Sequence, residues 1–260
     1  MSQAGIPESS PELSPELSVV IPVHNEAENI ASLLAEICAA LRGRVAFEIV
    51  AVDDCSTDAT PAILRQTAAA MPELRPIRHR RNAGQSMAVL SGVKAARAPF
   101  IATLDGDGQN DPADLPALWQ ALRAEADGGH NLLIAGHRTR RQDSWVKRYS
   151  SRIANRVRSA LLKDATPDTG CGLKMLSRAL FLSLPAFDHM HRFLPALVLR
   201  QGGQVRSVPV NHRPRQGGVS HYGTWGRLKV GLVDLVGVSW LQRRWRDSGG
   251  SQDLRGQDLE

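Results

Sequence analysis

The residues best suited to chemistry lie in the segment Asp105-Gly106-Asp107-Gly108-Gln109. Two carboxylates two residues apart repel each other, and a hard divalent cation relieves that repulsion. Mg²⁺ and Mn²⁺ take one or two carboxylates and complete their shells with diphosphate oxygens and water. Gln109 adds a neutral oxygen, and the two glycines let a bulky ligand approach the backbone. The spacing therefore predicts a site for Mg²⁺ or Mn²⁺ with Asp105, Asp107 and Gln109 as ligands.

Other polar residues follow short apolar runs that read as strands. Pro22 and Glu26 lie at and just after the first run, Asp53 and Asp54 follow the second, and Arg138 follows the fifth. Ligands of open parallel sheets bind at the carboxyl ends of the strands, so we expect these groups at one edge. Neither GxGxxG after the first strand nor GxxxxGK[ST] is present, which argues against a dinucleotide site and a phosphate-binding P-loop.

Alternating strand and helix patterns predict the scaffold for these groups. The predicted strands are 17–23, 47–52, 76–78, 100–104 and 132–136, and the predicted helices are 30–41, 59–70, 85–96 and 113–123. Asn25 and Glu28 are expected to cap the first helix. The order βαβαβαβαβ predicts an α/β fold with a parallel sheet covered by helices on both faces.

Composition and charge limit the class of protein. The chain has 260 residues, 42% of them hydrophobic and 22% charged, as in a globular protein. Three cysteines without CxxC spacing favour neither a disulfide framework nor a structural zinc site. The start of the chain lacks the basic and apolar regions of a signal peptide, and no apolar run reaches the roughly 18–20 residues of a membrane span. We therefore predict a cytoplasmic protein.

The domain boundaries follow the same patterns. Residues 1–16 and 247–260 are polar and predicted to be disordered tails, whereas 17–223 forms a single domain. The net charge of +6 is concentrated in two later stretches. Basic amphipathic helices with aromatic residues are predicted at 145–163, inside the domain, and at 224–246, after it. Such helices lie on an anionic membrane surface or pack on the domain core or a partner.

Taken in order, seven segments carry a family resemblance. They are 19–30, 50–60, 81–96, 101–116, 136–138, 168–176 and 192–223. The chain resembles the inverting family 2 glycosyltransferases of the GT-A fold, and most closely their dolichyl- or polyprenyl-phosphate branch. The resemblance implies a GT-A domain, Rossmann-like with a mostly parallel sheet, that binds a nucleotide-diphosphate sugar.

The resemblance also implies roles for single residues. Pro22, Glu26, Asp53, Asp54 and Asp105 would bind the nucleotide sugar, Asp107, Arg138 and Asp168 would be catalytic, and Arg213, Arg215 and His221 would bind the acceptor phosphate. Cys171 and Leu173 stand where the family often has Ser and Phe, and His221 stands where it often has Lys. Because His titrates near neutrality, phosphate binding through His221 would depend on pH.

The implied reaction moves a sugar, mannose by default, from GDP-mannose or a UDP-sugar to a polyprenyl or dolichyl phosphate. The protein would act peripherally at the inner face of the cytoplasmic membrane, on lipid or with a membrane-protein partner. An alternative is transfer to a hydroxyl acceptor in cell-surface polysaccharide synthesis, with Asp168 as base. Nucleic acid is not an expected partner, because the acidic strand ends would repel a phosphate backbone.

Overall fold

The computed structural model describes residues 14–125, 128–139, 158–159, 161–164, 166–214 and 224–246, with backbone alone at 224–230, 251–252 and 258–259. Of the predicted segments, most of both tails and of the helix at 145–163 lie outside the described residues. Arg215 and His221 lie outside them as well.

Nine strands and seven helices make up the described chain. The strands are β1 (Leu17–Val23), β2 (Phe47–Asp53), β3 (Leu74–Arg78), β4 (Phe100–Thr103), β5 (Leu132–Arg138), β6 (Lys174–Ser177), β7 (Gln204–Val210), β8 (Ser251–Gln252) and β9 (Asp258–Leu259). The α-helices are α1 (Ile30–Leu41), α2 (Thr60–Ala70), α3 (Gln85–Ala95), α4 (Leu115–Arg123), α5 (Arg178–Ser183), α6 (Leu194–Arg200) and α7 (Thr224–Arg244). Short 3₁₀ turns at Pro112–Asp114 and Met190–Arg192 precede α4 and α6.

The main sheet has seven strands in the order β3-β2-β1-β4-β6-β5-β7. All pairs are parallel except those of β6, which runs antiparallel to β4 and β5. The sequence patterns predicted the first five strands but neither β6 nor β7. Because β6 is reversed, it begins where its neighbours end, and Lys174 pairs with Thr103 of β4 and Ala135 of β5.

Apolar residues bury both faces of the sheet, as a parallel sheet requires. On one face Ile21 of β1 packs with residues of α1, α2 and α4. On the other face Val20, the neighbour of Ile21, packs with residues of α3, α5, α6 and α7. The alternation of Val20 and Ile21 follows from the two-residue period of a strand. The sheet, with helices packed on both faces, supports the loops at the carboxyl ends of its strands.

The predicted cap of α1 was wrong. The helix begins at Ile30, one residue after Asn29, and the side chain of Asn29 makes no cap hydrogen bond. Asn25 instead has a left-handed backbone with φ of 56°. Its backbone N–H donates to Ser56 Oγ at 2.9 Å, and its Oδ1 accepts from the backbone N–H of Thr57 at 2.8 Å. The long-range link to the β2 loop therefore outweighs local capping.

Helix α7 packs on the domain through one side. Leu235, Val238 and Ser239 are buried there. Gln242 Nε2 donates to the backbone carbonyls of Leu162 at 2.9 Å and Ala196 at 3.2 Å. No helix within the described parts of the chain has the length and apolar character needed to cross a membrane.

Two helical glycines give a test of the packing. A Cβ at Gly92 in α3 would lie 2.4 Å from Val20 Cγ1 and 3.0 Å from Val52 Cγ2, whereas a Cβ at Gly237 in α7 would meet nothing within 4 Å. We expect Gly92→Ala to lower the free energy of unfolding by about 1–3 kcal/mol through overpacking. Gly237→Ala should raise it by up to about 1 kcal/mol through helix propensity. Urea denaturation measures both, and an equal effect of the two substitutions would contradict the packing of α3 on the sheet.

Candidate active site

The acidic loop after β4 is held by a buried asparagine. Asn110 is 3% exposed, and its Oδ1 accepts a hydrogen bond from the backbone N–H of Asp105 at 3.2 Å. Gln85 Nε2 donates to Asp105 Oδ1 at 2.8 Å. The backbone N–H of Gln109 donates to Asp107 Oδ1 at 3.1 Å. Asp107 thus lies close enough to influence Asp105, and Gln109 bonds Asp107 through its backbone, while the metal-ligand roles of the three residues stay a prediction. Asn110 was not predicted, because its contacts with Asp105 and with Cys171 Sγ, the latter at 3.8 Å, are visible only in the structure.

Two glycines allow the strand ends to approach each other. A Cβ at Gly172 would lie 2.1 Å from Asp105 Oδ2, and a Cβ at Gly106 would lie 2.9 Å from the carbonyl oxygen of Pro22. Any larger residue at 172 would displace the Asp105 carboxylate. The acidic loop therefore sits against both the end of β1 and the segment that leads into β6.

Burial and neighbouring charges act on Asp105 in opposite directions, and the effects that disfavour its charged form prevail. Burial and the neighbouring Asp107 raise the pKa of Asp105 to about 6, opposed by the positive charges of Lys174 and Arg138. The Lys174 side chain is buried, its ammonium donates to the carbonyl of Cys171, and burial lowers its pKa. Sequence reasoning assigned no role to Lys174, because its place at this edge depends on the unpredicted strand β6.

The acidic loop fits a hard cation on chemical grounds. The neighbouring Asp107 disfavours the charged form of Asp105, and a divalent cation would remove that penalty. No group of three His, Cys, Asp or Glu side chains in the described ranges forms a complete metal site. Together with Gln109 the two carboxylates supply a partial oxygen shell, which suits Mg²⁺ or Mn²⁺ carried with diphosphate oxygens.

A small cavity adjoins the acidic loop. It measures about 20 Å³ and is bordered by Asp105, Lys174, Gln85 and His191, among others. This volume is that of about one water molecule. His191 Nδ1 lies 2.7 Å from Ser86 Oγ, and burial lowers the pKa of His191 to about 3. His191 is therefore neutral at physiological pH and adds no charge beside Lys174.

Asp54 organises the loop that follows β3. This carboxylate is 3% exposed, and its Oδ1 lies 2.7 Å from His79 Nδ1. The backbone N–H groups of Ala83 and Gly84 donate to its two oxygens, each at 2.8 Å. Asp54 thus fixes the start of α3, from which Gln85 reaches Asp105. Its predicted contact with the nucleotide remains a prediction.

Asp53 has partners on the same edge. Its Oδ1 accepts from the backbone N–H of Ser56 at 3.0 Å, and its Oδ2 lies 2.9 Å from Arg78 Nε. Arg78 Nη2 also donates to the Ser56 carbonyl at 3.0 Å. These contacts hold the β2 loop in place. The nucleotide contacts assigned to Asp53 and Asp54 remain predictions.

Pro22 lies in β1, and Glu26 lies in the loop that follows this strand. The backbone N–H of Glu26 donates to Thr60 Oγ1 at 2.9 Å, and its Oε2 accepts from Asn29 Nδ2 at 2.8 Å. The β1–α1 loop is therefore tied to the start of α2, beside the β2 loop.

Arg138 and Asp168 form a two-pronged ion pair. Arg138 Nε donates to Asp168 Oδ2 at 2.6 Å, and Nη2 donates to Oδ1 at 2.8 Å. The backbone N–H of Arg138 also lies 3.3 Å from Oδ2, and Asp168 is 4% exposed. Hydrogen bonding to Asp168 raises the pKa of Arg138. Sequence reasoning placed the two residues in one site but did not predict their pairing, which brings together positions 30 residues apart.

Arg213 is tied to α1 and to the acidic loop and its continuation. Its Nη2 donates to Asp111 Oδ1 at 2.7 Å, and its Nη1 pairs with Glu36. Its backbone N–H donates to the Gln109 carbonyl at 3.0 Å. The acceptor role predicted for Arg213, Arg215 and His221 stays a prediction.

Comparison with known proteins identifies the family to which the chain is similar. The sequence model of glycosyl transferase family 2 matches residues 18–184. A dodecaprenyl-phosphate galacturonate synthase of Rhizobium johnstonii is 33% identical over 201 residues, covering 76% of this chain and 58% of the relative. An undecaprenyl-phosphate 4-deoxy-4-formamido-L-arabinose transferase of Edwardsiella ictaluri is 34% identical over 192 residues, covering 73% and 57%. The chain thus spans less than two thirds of these curated relatives.

Solved structures share the fold. The mannosyltransferase PcManGT of Pyrobaculum calidifontis, in complex with GDP-Man and Mn²⁺, has a TM-score of 0.64 and 20% identity, covering 91% of this chain and 67% of that one. A glucosyl-3-phosphoglycerate synthase of Mycobacterium tuberculosis, in complex with Mn²⁺, UDP-Glc and phosphoglyceric acid, has a TM-score of 0.61 and 20% identity, covering 93% and 85%. These likenesses confirm the predicted GT-A fold.

Substituting Gly172 tests the acidic loop. The added methyl group of Gly172→Ala would overlap the Asp105 carboxylate, so we expect at least tenfold weaker Mn²⁺ binding in the presence of a nucleoside diphosphate. Isothermal titration measures the affinity, and circular dichroism checks the fold. Gly237→Ala adds the same methyl group in open space and should bind like the parent. Unchanged affinity in Gly172→Ala would mean that Asp105 does not hold the ion.

Proposed function

Since the chain belongs to glycosyl transferase family 2, we propose that it transfers a sugar from a nucleotide diphosphate to a polyprenyl phosphate, with inversion at the anomeric carbon. One structural observation carries the proposal: the Asp105–Gln109 loop lies at the carboxyl edge of the sheet with the Arg138–Asp168 pair close enough to influence Asp105. The two curated relatives, whose names include a polyprenyl phosphate, support the acceptor class.

The donor half of the reaction must stabilise a departing nucleoside diphosphate. Mg²⁺ or Mn²⁺ held by Asp105, Asp107 and Gln109 would neutralise that charge as a Lewis acid. Gln85 and Asn110 keep the loop in place for this task. A loop held in place by such contacts needs little reorganisation during the reaction.

We assign the diphosphate to Arg138, a cation close enough to influence Asp105. Its pairing with Asp168 uses Nε and Nη2, and we assign Nη1 to a diphosphate oxygen. A guanidinium fixed by a buried carboxylate keeps its planar donors in one orientation. Asp168 is therefore a positioning residue in this scheme.

The acceptor half needs cations more than a base. A phosphate monoester has a second pKa of about 6 and is already anionic at neutral pH. We assign its binding to Arg213, Arg215 and His221, following the resemblance. Arg213 would have to exchange Asp111 or Glu36 for the phosphate, so Arg215 and His221 carry the larger share in this assignment.

The hydroxyl-acceptor alternative makes a stronger demand on Asp168. An alcohol must lose a proton as it attacks, and a base contributes about 10²–10⁴-fold to such a step. The two oxygens of the Asp168 carboxylate accept hydrogen bonds from Arg138 at 2.6 and 2.8 Å, so an alcohol would have to compete with Arg138 for them. The phosphate acceptor is therefore our first choice.

Mannose, the default sugar, has uneven support. The curated relatives' names include galacturonate and 4-deoxy-4-formamido-L-arabinose, whereas GDP-Man appears only with a structural neighbour that shares the fold. We therefore propose a nucleotide sugar without choosing its base or sugar. We place the reaction at the cytoplasmic face of a membrane, where a polyprenyl phosphate would be presented, with the protein peripheral to lipid or held by a membrane-protein partner.

A donor screen tests the first half. Thermal shifts against GDP-mannose, UDP-galacturonate and other sugar nucleotides should show stabilisation by one donor, and only with Mn²⁺. Asp107→Ala should abolish that stabilisation and lower transfer at least 100-fold while leaving the unliganded melting temperature within a few degrees. Glu73→Gln is the control, because Glu73 directly precedes β3 and so lies at the amino ends of the parallel strands. It should match the parent in donor binding and in transfer. Metal-independent transfer by Asp107→Ala would refute the assigned metal ligands.

Asp168→Asn separates the two acceptors. Asparagine still accepts one hydrogen bond from Arg138 but removes the negative charge, so we expect less than about tenfold loss of transfer to a short-chain polyprenyl phosphate. Transfer to an alcohol acceptor, if present in the parent, should fall about 10²–10⁴-fold. Product formation from a labelled donor measures both. A thousandfold loss with the phosphate acceptor would make Asp168 a catalytic base and favour the alternative.

A further inference from the structure

Helix α7 carries a second apolar side that the domain does not cover. Leu232 is 62% exposed, Val233 71%, Val236 63% and Trp240 57%. Leu232, Val236 and Trp240 follow one another at four-residue spacing, and Val233 lies beside them, so the four share one side of the helix. We call these four residues the outer face of α7. Isolated apolar residues on a surface are ordinary, but four large ones together are typical of an interaction site.

The exposed charges at the end of α7, among the described residues, are positive. Arg243, Arg244 and Arg246 are exposed at the end of α7 and just beyond it. The Arg244 guanidinium lies 5.8 Å from the centre of the Trp240 ring. Asp234, the acidic residue within α7, is 18% exposed at its side chain and lies 3.1 Å from His189 Nδ1. Three exposed arginines beside tryptophan complement an anionic surface.

A second pair of arginine and tryptophan joins the end of α6 to the residue that follows α7. Trp245 is 41% exposed, and the guanidinium of Arg200, at the end of α6, lies 4.5 Å from the centre of its ring. Tryptophan and arginine both have an apolar body and a polar end, which suits the boundary between lipid headgroups and acyl chains. The apolar outer face is also too short to cross a bilayer, in agreement with the hydropathy of the described helices.

Contacts fasten α7 to the candidate active site. Asp234 pairs with His189, and His191, two residues on, lies 2.7 Å from Ser86 Oγ. Ser86 follows Gln85, which donates to Asp105. These contacts fix the position of α7 relative to the acidic loop. A ligand on the outer face would therefore lie at a defined position relative to that loop.

From these observations we propose that the outer face of α7 docks the protein on an anionic lipid bilayer, with the helix lying along the surface. The apolar side chains would enter the headgroup boundary, and Arg243, Arg244 and Arg246 would contact lipid phosphates. A second copy of this chain is the less favoured occupant, because a two-fold pairing of the outer faces would bring the arginines of both copies together. The inference rests on the proposed function only in that a lipid acceptor gives docking a purpose.

Vesicle sedimentation of the full chain tests the proposal. Vesicles of phosphatidylcholine containing about one third phosphatidylglycerol, without polyprenyl phosphate or donor, should bind the parent protein more tightly than neutral vesicles. The triple variant Val233→Ser/Val236→Ser/Trp240→Ser should bind at least tenfold more weakly. Leu182→Ser removes an apolar side chain that is 37% exposed on another helix and should bind like the parent. The double variant Arg243→Gln/Arg246→Gln should lose the preference for anionic vesicles.

Two further measurements keep the outcomes distinct. Circular dichroism establishes that each variant is folded, and transfer to a water-soluble short-chain phosphate tests the proposed function without a membrane. Undiminished vesicle binding by the triple variant would overturn the docking surface while leaving transfer intact. A parent dimer that the triple variant converts to monomer, with no vesicle binding by either, would also overturn it and identify a second copy as the occupant. Absence of transfer with normal vesicle binding would instead count against the proposed function.

Discussion

The placement of the Asp105 carboxylate is the constraint on which the rest of the site depends. Burial and Asp107 favour its protonated form, while Lys174 and Arg138 favour its charged form. A carboxylate in this position is a ready ligand for a divalent cation, because the cation would supply the charge that the protein only partly provides. The surrounding contacts keep the group in place: Gln85 bonds its side chain, Asn110 bonds its backbone, and Gly172 leaves the space that it occupies.

The reversed strand β6 explains how so many charges reach one point. In an all-parallel sheet each strand contributes its last residues and the loop after it to the ligand-binding edge. Strand β6 contributes its first residue, Lys174, and brings the preceding segment with Asp168, Cys171 and Gly172 to the same edge. The buried ammonium of Lys174 and the Arg138–Asp168 pair thus lie close to the acidic loop. A buried lysine is costly without compensation, and here the carboxylates of Asp105 and Asp168 oppose part of that cost, since burial still lowers the pKa of Lys174.

Local patterns in the sequence were sufficient for the first half of the fold. Strand β1 and helix α1 occupy the ranges that apolar runs and helical spacing predicted, and the acidic loop follows β4 as expected. Strand β6 escaped prediction because KMLS is four residues long and follows a loop, so its pattern is too short to distinguish from other structure. The partners of Arg138 and Arg213 escaped for another reason: they lie 30 and 102 residues away or more, and sequence spacing carries no record of such contacts. The positions of the site residues after predicted strands indicated one shared edge, whereas their pairing is visible only in the structure.

Paramagnetic broadening of the nucleotide phosphorus signals tests the central claim most directly. With a nucleoside diphosphate bound, Mn²⁺ held by Asp105 and Asp107 would lie against the diphosphate and broaden both ³¹P resonances at substoichiometric metal. The account predicts this broadening in the parent protein and its loss in Asp107→Ala, measured at nucleotide concentrations that saturate both proteins. Equal broadening in the two proteins, or none in the parent, would show that the acidic loop does not join a cation to the donor.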